Sequence, residues 1–251
     1  MTDPITDPIT DTMTDLMSAR PAARLGLVVL STDETLEDEA RQVLPPSISL
    51  FHTRIESAPD VTPENLAKME ARMVASAALL PADLNAIGYG CTSASVVIGP
   101  AAVAHQMHQV QPGVPVTNPM SAVIAALRAL NAAKIALVTP YTPEVVAPMV
   151  AHLDKHEIEV VAERSFGESD DRRVARISES ATLAAIQEAG QATGVQAVFS
   201  SCTNLRSFGI IDAAERKLGV PVVSSNSALL WHLCRLTGVP GLGGPGRLYK
   251  I

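Results

Sequence analysis

Two short segments carry the residues best suited to chemistry. "IGYGCTSASVVIG", residues 87–99, ends an apolar run in Gly90 and Cys91, followed by two hydroxyl residues, Thr92 and Ser93. "VFSSCTNLRSFG", residues 198–209, repeats the arrangement with Cys202, Thr203 and Asn204. A cysteine where a strand turns into a helix meets free N–H groups and the positive end of the helix dipole. That field favours the thiolate, the reactive form of the sulfur, so at least one thiol pKa is expected below the ~8.5 of free cysteine. A single strand-end cysteine is often only a small buried apolar side chain. Two in matched surroundings point instead to two sulfurs flanking one cleft. A thiolate on one face of a planar substrate and a thiol on the other suit proton transfer or addition beside a carboxylate. Such chemistry needs no metal and no organic cofactor.

Other candidates are weaker. Neither Cys91 nor Cys202 has a second Cys or His two to four residues away, so no zinc site is expected. Cys234 in "ALLWHLCRL" reads as helix packing, and His105 and His108 lie on an apolar helix. The glycine-rich "GLGGPGR" near the C-terminus precedes no helix, which argues against a dinucleotide loop.

Loops of this kind must be held by strands and helices in alternation, and the chain supplies them. Apolar runs at 25–30, 48–55, 84–90, 113–118, 134–141, 158–166, 195–201 and 220–225 read as strands. Segments at 64–80, 95–110, 119–132, 143–155, 172–190, 210–219 and 227–238 carry apolar residues at helical spacing. Continuous apolar strands separated by helices predict parallel sheets covered on both faces. The order strand, Cys-Thr, helix, "GVPV", polar loop, helix occurs twice, with "GVPV" at 113–116 and 219–222. The expected fold is therefore α/β, two pseudo-symmetric Rossmann-like lobes with the active site in the cleft between them, where ligands meet the carboxyl ends of the strands.

The chain has 251 residues, 47% of them hydrophobic, enough for one large domain or two lobes. Residues 24–251 are assigned to the two interleaved lobes, and residues 1–23, with their "TDPI" repeats, to a disordered tail. A net charge of −7 without a basic cluster, and 3% aromatics, exclude a nucleic-acid surface. No apolar run of ~20 residues suggests a membrane span. Three cysteines without a CxxC motif argue against a disulfide framework, and the cytoplasm is the expected location.

The two cysteine segments resemble the paired motifs of the aspartate/glutamate racemase superfamily. Within it they are most similar to the branch of maleate cis-trans isomerases, arylmalonate decarboxylases and the related ectoine-utilisation proteins. The resemblance implies that Cys91 attacks the substrate and Cys202 supplies or removes a proton. It also implies that Tyr141 in "VTPYTPE" helps bind a carboxylate, with Thr92, Ser93, Thr203 and Asn204 as neighbouring donors. Two positions depart from the pattern. Maleate isomerases carry an asparagine where "LSTDETLEDE" has Asp33, and a second one near "FGESDD", where Asp170 stands. An ionised Asp only accepts hydrogen bonds, whereas Asn also donates. A substrate with one carboxylate and an ammonium or N–H group thus fits better than a dicarboxylate. The "TDET" form is shared with the ectoine-utilisation branch, which implies a diaminobutyrate or N-acetyl-diaminobutyrate substrate. Asp33 has a second reading, as the cap of a helix starting near Thr35. Maleate isomerisation, an arylmalonate-type decarboxylase and a non-catalytic sensor on the same fold remain alternatives. A homo-oligomer, dimer or tetramer, and a small carboxylate partner are expected.

Overall fold

Runs of buried β-branched and aliphatic residues build eight strands, all paired in parallel, in the computed structural model, which describes residues 21–239 and 243–251. The expected tail lies almost wholly in residues 1–20, outside the described residues. The fold begins one residue earlier than expected, because Ala23 already pairs with Ile48.

The first sheet contains β1 (Ala23–Leu30), β2 (Ile48–Ile55), β3 (Ala86–Gly90) and β4 (Val116–Thr117), in the order β2-β1-β3-β4. The second contains β5 (Lys134–Thr139), β6 (Glu159–Ser165), β7 (Ala197–Ser200) and β8 (Val222–Ser224), in the order β6-β5-β7-β8. The two orders are the same, which is the pseudo-symmetry foreshadowed by the doubled motif. Each "GVPV" delivers the short edge strand of its own sheet.

Helices of the first lobe are α1 (Leu36–Val43), α2 (Pro63–Lys68), α3 (Met73–Ala77), α4 (Thr92–Ile98), α5 (Pro100–His108) and α6 (Pro119–Ala129). Those of the second are α7 (Pro143–Asp154), α8 (Asp171–Val174), α9 (Glu179–Gly190), α10 (Phe208–Leu218) and α11 (Ser225–Thr237). Three expected helices are broken. The segment 95–110 divides at Gly99 (φ 90°) and Pro100, since that backbone is not helical and proline opens a new helix. Segment 172–190 divides because Ser178 accepts the Ala181 N–H and caps α9 afresh. Segment 64–80 tightens into a 3-10 turn at Glu70–Arg72 between α2 and α3.

The lobes are interleaved. Helix α11, last in the chain, packs on α6, β3 and α1 of the first lobe. One apolar cluster runs from Val28 and Tyr89 to Leu137 and Phe199, joining the lobes beneath the strand ends. Among the described residues no helix is long and apolar enough to cross a membrane.

Candidate active site

The first cysteine loop is set by close packing. A Cβ on Gly90 would lie 2.6 Å from Leu36 Cδ2 and 3.2 Å from the Val28 carbonyl, so glycine alone lets α1 and β1 close on the end of β3. Cys91 follows as the N-cap of α4, and its Sγ accepts the Ala94 N–H at 3.4 Å. The Ser93 hydroxyl lies 3.7 Å from the same sulfur.

The second loop differs from its expected twin. After Cys202 the chain turns, and α10 begins only at Phe208, so this sulfur does not cap a helix. Cys202 instead has φ 122°, a region that side-chain-bearing residues occupy only under strain. Its Sγ accepts the Asn204 N–H at 3.3 Å, and its own N–H donates to Ser225 Oγ at 2.9 Å. Ser225 Oγ also accepts from Thr92 Oγ1 at 2.8 Å. One hydroxyl on α11 therefore ties both cysteine loops together.

Both sulfurs line a single pocket with Ser93, Tyr141, Asp171 and Thr203. The segment from Ser57 to Met69 roofs it and contributes Asp60, Asn65 and Leu66. That roof is clasped to the second lobe: the Val61 N–H donates to the Ser169 carbonyl at 2.8 Å and the Asp171 N–H to the Pro59 carbonyl at 2.9 Å. Cys234 lies apart, packed among Leu229, Leu233 and Leu25.

Not every residue expected here reaches the pocket. Thr92 is spent on Ser225. Asn204 uses its whole amide elsewhere: Oδ1 accepts from the Glu34 N–H and Thr35 Oγ1, and Nδ2 donates to the carbonyls of Thr32 and Asp171. It braces the loop after β1 and leaves no group for a ligand. Asp170 caps α8 and pairs with Arg172 at 2.8 Å, pointing away. Its neighbour Asp171 lines the pocket instead, accepting from Thr32 Oγ1 at 2.5 Å. Asp33 divides its two oxygens. Oδ1 accepts the Thr35 and Leu36 N–H groups, both at 2.8 Å, which is the capping role. Oδ2 is buried with no partner, in a residue only 2% exposed. Asp33 is therefore the cap and, against expectation, is not among the residues lining the pocket, although its charge raises both thiols.

Electrostatics reverse the expectation for the thiols. Burial pushes the Cys91 thiol up to about 12, outweighing the Ala94 N–H and Ser93, and Asp171 and Asp33 add to the rise. Cys202 is raised well above the ordinary thiol range by burial and by Asp171, against a hydrogen bond from Tyr141. Both are neutral thiols at pH 7 when the pocket is empty. Burial is also the main cause that lifts Asp171 to about 6, with the Asp33 carboxyl adding to the rise. Burial raises Asp33 against the hydrogen bonds from Leu36, Thr35 and Thr203. No Lys or Arg lines the pocket among the described residues.

Asp171 gives a pH-dependent expectation. Its folded pKa lies above its unfolded value of 3.8, so the native state holds the proton more tightly. The fold therefore loses stability as pH climbs from about 4 through about 6. Two pKa units correspond to roughly 3 kcal/mol. Asp171→Asn should stabilise the protein by up to that amount at pH 8, with the gain shrinking toward pH 4. Melting curves of both forms across this range test it, and a pH-independent gain would refute the assignment.

Two interleaved parallel-sheet lobes with two cysteines lining one pocket define an α/β cleft architecture. The chain belongs to the family described as Arylmalonate decarboxylase, which it matches over residues 25–249. It is 30% identical to the maleate isomerase of Nocardia farcinica (strain IFM 10152), over 90% of this chain and 95% of that one. Among solved structures it resembles a cysteine-to-alanine variant of the maleate isomerase of Pseudomonas putida S16 with maleate (TM-score 0.83, 25% identity, 91% and 97% of the two chains). It also resembles a cysteine-to-serine mutant of the Nocardia farcinica maleate cis-trans isomerase holding a covalently bound succinylcysteine intermediate (TM-score 0.81, 29% identity, 91% and 98%).

Proposed function

We propose that this protein is a cofactor-independent isomerase, a racemase or cis-trans isomerase, acting on a small carboxylate that also bears an amino or amide N–H group. Cys91 and Cys202 work from opposite faces, one removing a proton or adding to carbon and the other returning a proton. The observation that carries this reading is the pocket wall: two thiols and Tyr141 beside Asp171, and no cation among the described lining residues. The hydroxyls of Ser93 and Tyr141 can donate to a carboxylate, whereas Thr203 Oγ1 already donates to the Gly90 carbonyl at 3.4 Å. An ammonium group beside Asp171 would offset the carboxylate charge that helps hold both thiols protonated. Diaminobutyrate or its N-acetyl form, as in ectoine breakdown, is the substrate type this reading puts first.

Maleate isomerisation is the second reading, favoured by the identity to the Nocardia relative and by the succinylcysteine adduct of its mutant. Incubating the protein in D₂O with α-amino acids, diaminobutyrate derivatives and maleate, followed by proton NMR, separates the two. Loss of the α-proton signal from an amino substrate supports the first. Conversion of maleate alone, with no exchange in any amino compound, overturns it.

A further inference from the structure

Behind the second cysteine loop, outside the pocket, lies a buried acid that the thiol chemistry does not use. Glu39 sits on α1 of the first lobe and is 5% exposed. Its Oε1 accepts the N–H groups of Ser207 (3.1 Å) and Phe208 (3.2 Å), which open α10. Its Oε2 accepts from Asn226 Nδ2 at 2.7 Å. The same Nδ2 donates to the Thr203 carbonyl at 2.8 Å. Asn226 cannot turn over, because its Oδ1 would then face both the carboxylate and that carbonyl. Its Oδ1 is left buried without a partner. The Cys202–Thr203 peptide thus lies between two held neighbours: Ser225 pins the Cys202 N–H of the peptide before it, and Asn226 the Thr203 carbonyl of the one after.

We infer that Glu39, acting through Asn226, is a positioning residue that holds Cys202 in its strained backbone conformation. A φ of 122° at a cysteine persists only where the surroundings over-determine it. Here three anchors do so: Ser225 on the Cys202 N–H, Asn226 on the Thr203 carbonyl, and Glu39 on the far end of the loop. Only a carboxylate can serve. It offers acceptors to three N–H donors at once, and the amide of Gln offers a single oxygen. Desolvation raises Glu39 to about 7, and no ion pair forms with it among the described residues, so the acid sits here against its own solvation. The inference rests on the reading of Cys202 as a reacting thiol, but its test needs no substrate.

In Glu39→Gln, the new NH₂ faces Asn226 Nδ2, donor against donor, and the Thr203 carbonyl is released. The ligand-free protein and the variant are alkylated with iodoacetamide, and the modification of each cysteine is followed by peptide mass spectrometry. Cys202 should react roughly fivefold faster or more, the scale of one lost buried hydrogen bond, while Cys91 keeps its rate. Asn226→Ala, which spares the Glu39 contacts to Ser207 and Phe208, should show the same selective change if Glu39→Gln folds poorly. On any substrate turned over, kcat should fall on the order of 10²-fold with KM within about twofold. Equal acceleration of both thiols, or of neither, in the folded variant would overturn the inference. A failed substrate assignment would leave the alkylation result intact.

Discussion

Cys91→Ala is expected to lower turnover by at least ~10³-fold, and Cys202→Ala to lower it as much through a different step. General acid–base or nucleophilic participation by one positioned group is worth roughly 10² to 10⁴ in rate. No other thiol lines the pocket among the described residues, and the lining hydroxyls are weaker acids. Tyr141 is itself raised well above its ordinary range by burial, so only the carboxyls of Asp60 and Asp171 remain as proton carriers, and neither replaces a sulfur nucleophile. The two losses should be distinguishable. With an unsaturated acid, Cys202→Ala leaves Cys91 able to add to the double bond but removes the opposing proton donor. A covalent adduct of the substrate's mass should then accumulate on the Cys91 peptide. Cys91→Ala should form none. Both variants should keep near-normal melting temperatures, since each loses one weak sulfur acceptor. Retention of more than about a tenth of the activity by either would end the two-thiol mechanism.

The second large effect concerns charge. The double replacement Asp33→Asn/Asp171→Asn should raise kcat/KM for maleate by roughly 10²-fold or more. It should depress turnover of an amino-bearing substrate by a similar factor. A charge-assisted hydrogen bond is worth ~1.5–3 kcal/mol. One like-charge contact, at the lining Asp171, would be exchanged for an amide donor, and loss of the Asp33 charge behind it removes further repulsion. The shape is preserved. An amide at position 33 can still cap α1 through its oxygen, and an amide at position 171 can still accept from Thr32. The two positions interact, so the double variant should differ from the product of the singles. Steady-state kinetics on both substrates decide the matter. Efficient maleate turnover by the unmodified protein, left unchanged by the double replacement, would show that the acids serve only the fold.

Much of this site was legible in the chain because its signals are local. Cys91, Cys202 and Tyr141 stand at the ends of apolar runs, and strand ends in parallel sheets converge on a cleft. The two-lobe architecture followed from the doubled Cys-Thr and "GVPV" order. What failed depended on tertiary register. Asp170 and Asp171 are adjacent and chemically alike. Which one faces the thiols is set by the backbone clasp between Pro59–Val61 and Ser169–Asp171, a pairing across more than a hundred residues. Nothing local in "TLEDEA" marks Glu39 as the partner of Ser207, Phe208 and Asn226. The thiol pKa failed in sign, since a helix-end field is visible in a sequence while burial is not. The break at Gly99-Pro100, by contrast, was available to a stricter reading of that dipeptide.

Cys202 also bears on how this protein would age once its activity was no longer selected. At φ 122° glycine carries no strain, so Cys202→Gly should be more stable than Cys202→Ala by about 1–2 kcal/mol, although both are inert. Chemical denaturation of the two variants checks this, and equal midpoints would count against it. Stability and chemistry thus pull in opposite directions at one backbone position. A duplicate copy freed from catalysis would gain by drifting to glycine there, while Cys91, at an unstrained cap, would feel no such pressure. Loss of activity in a lineage should therefore be written at position 202 before position 91.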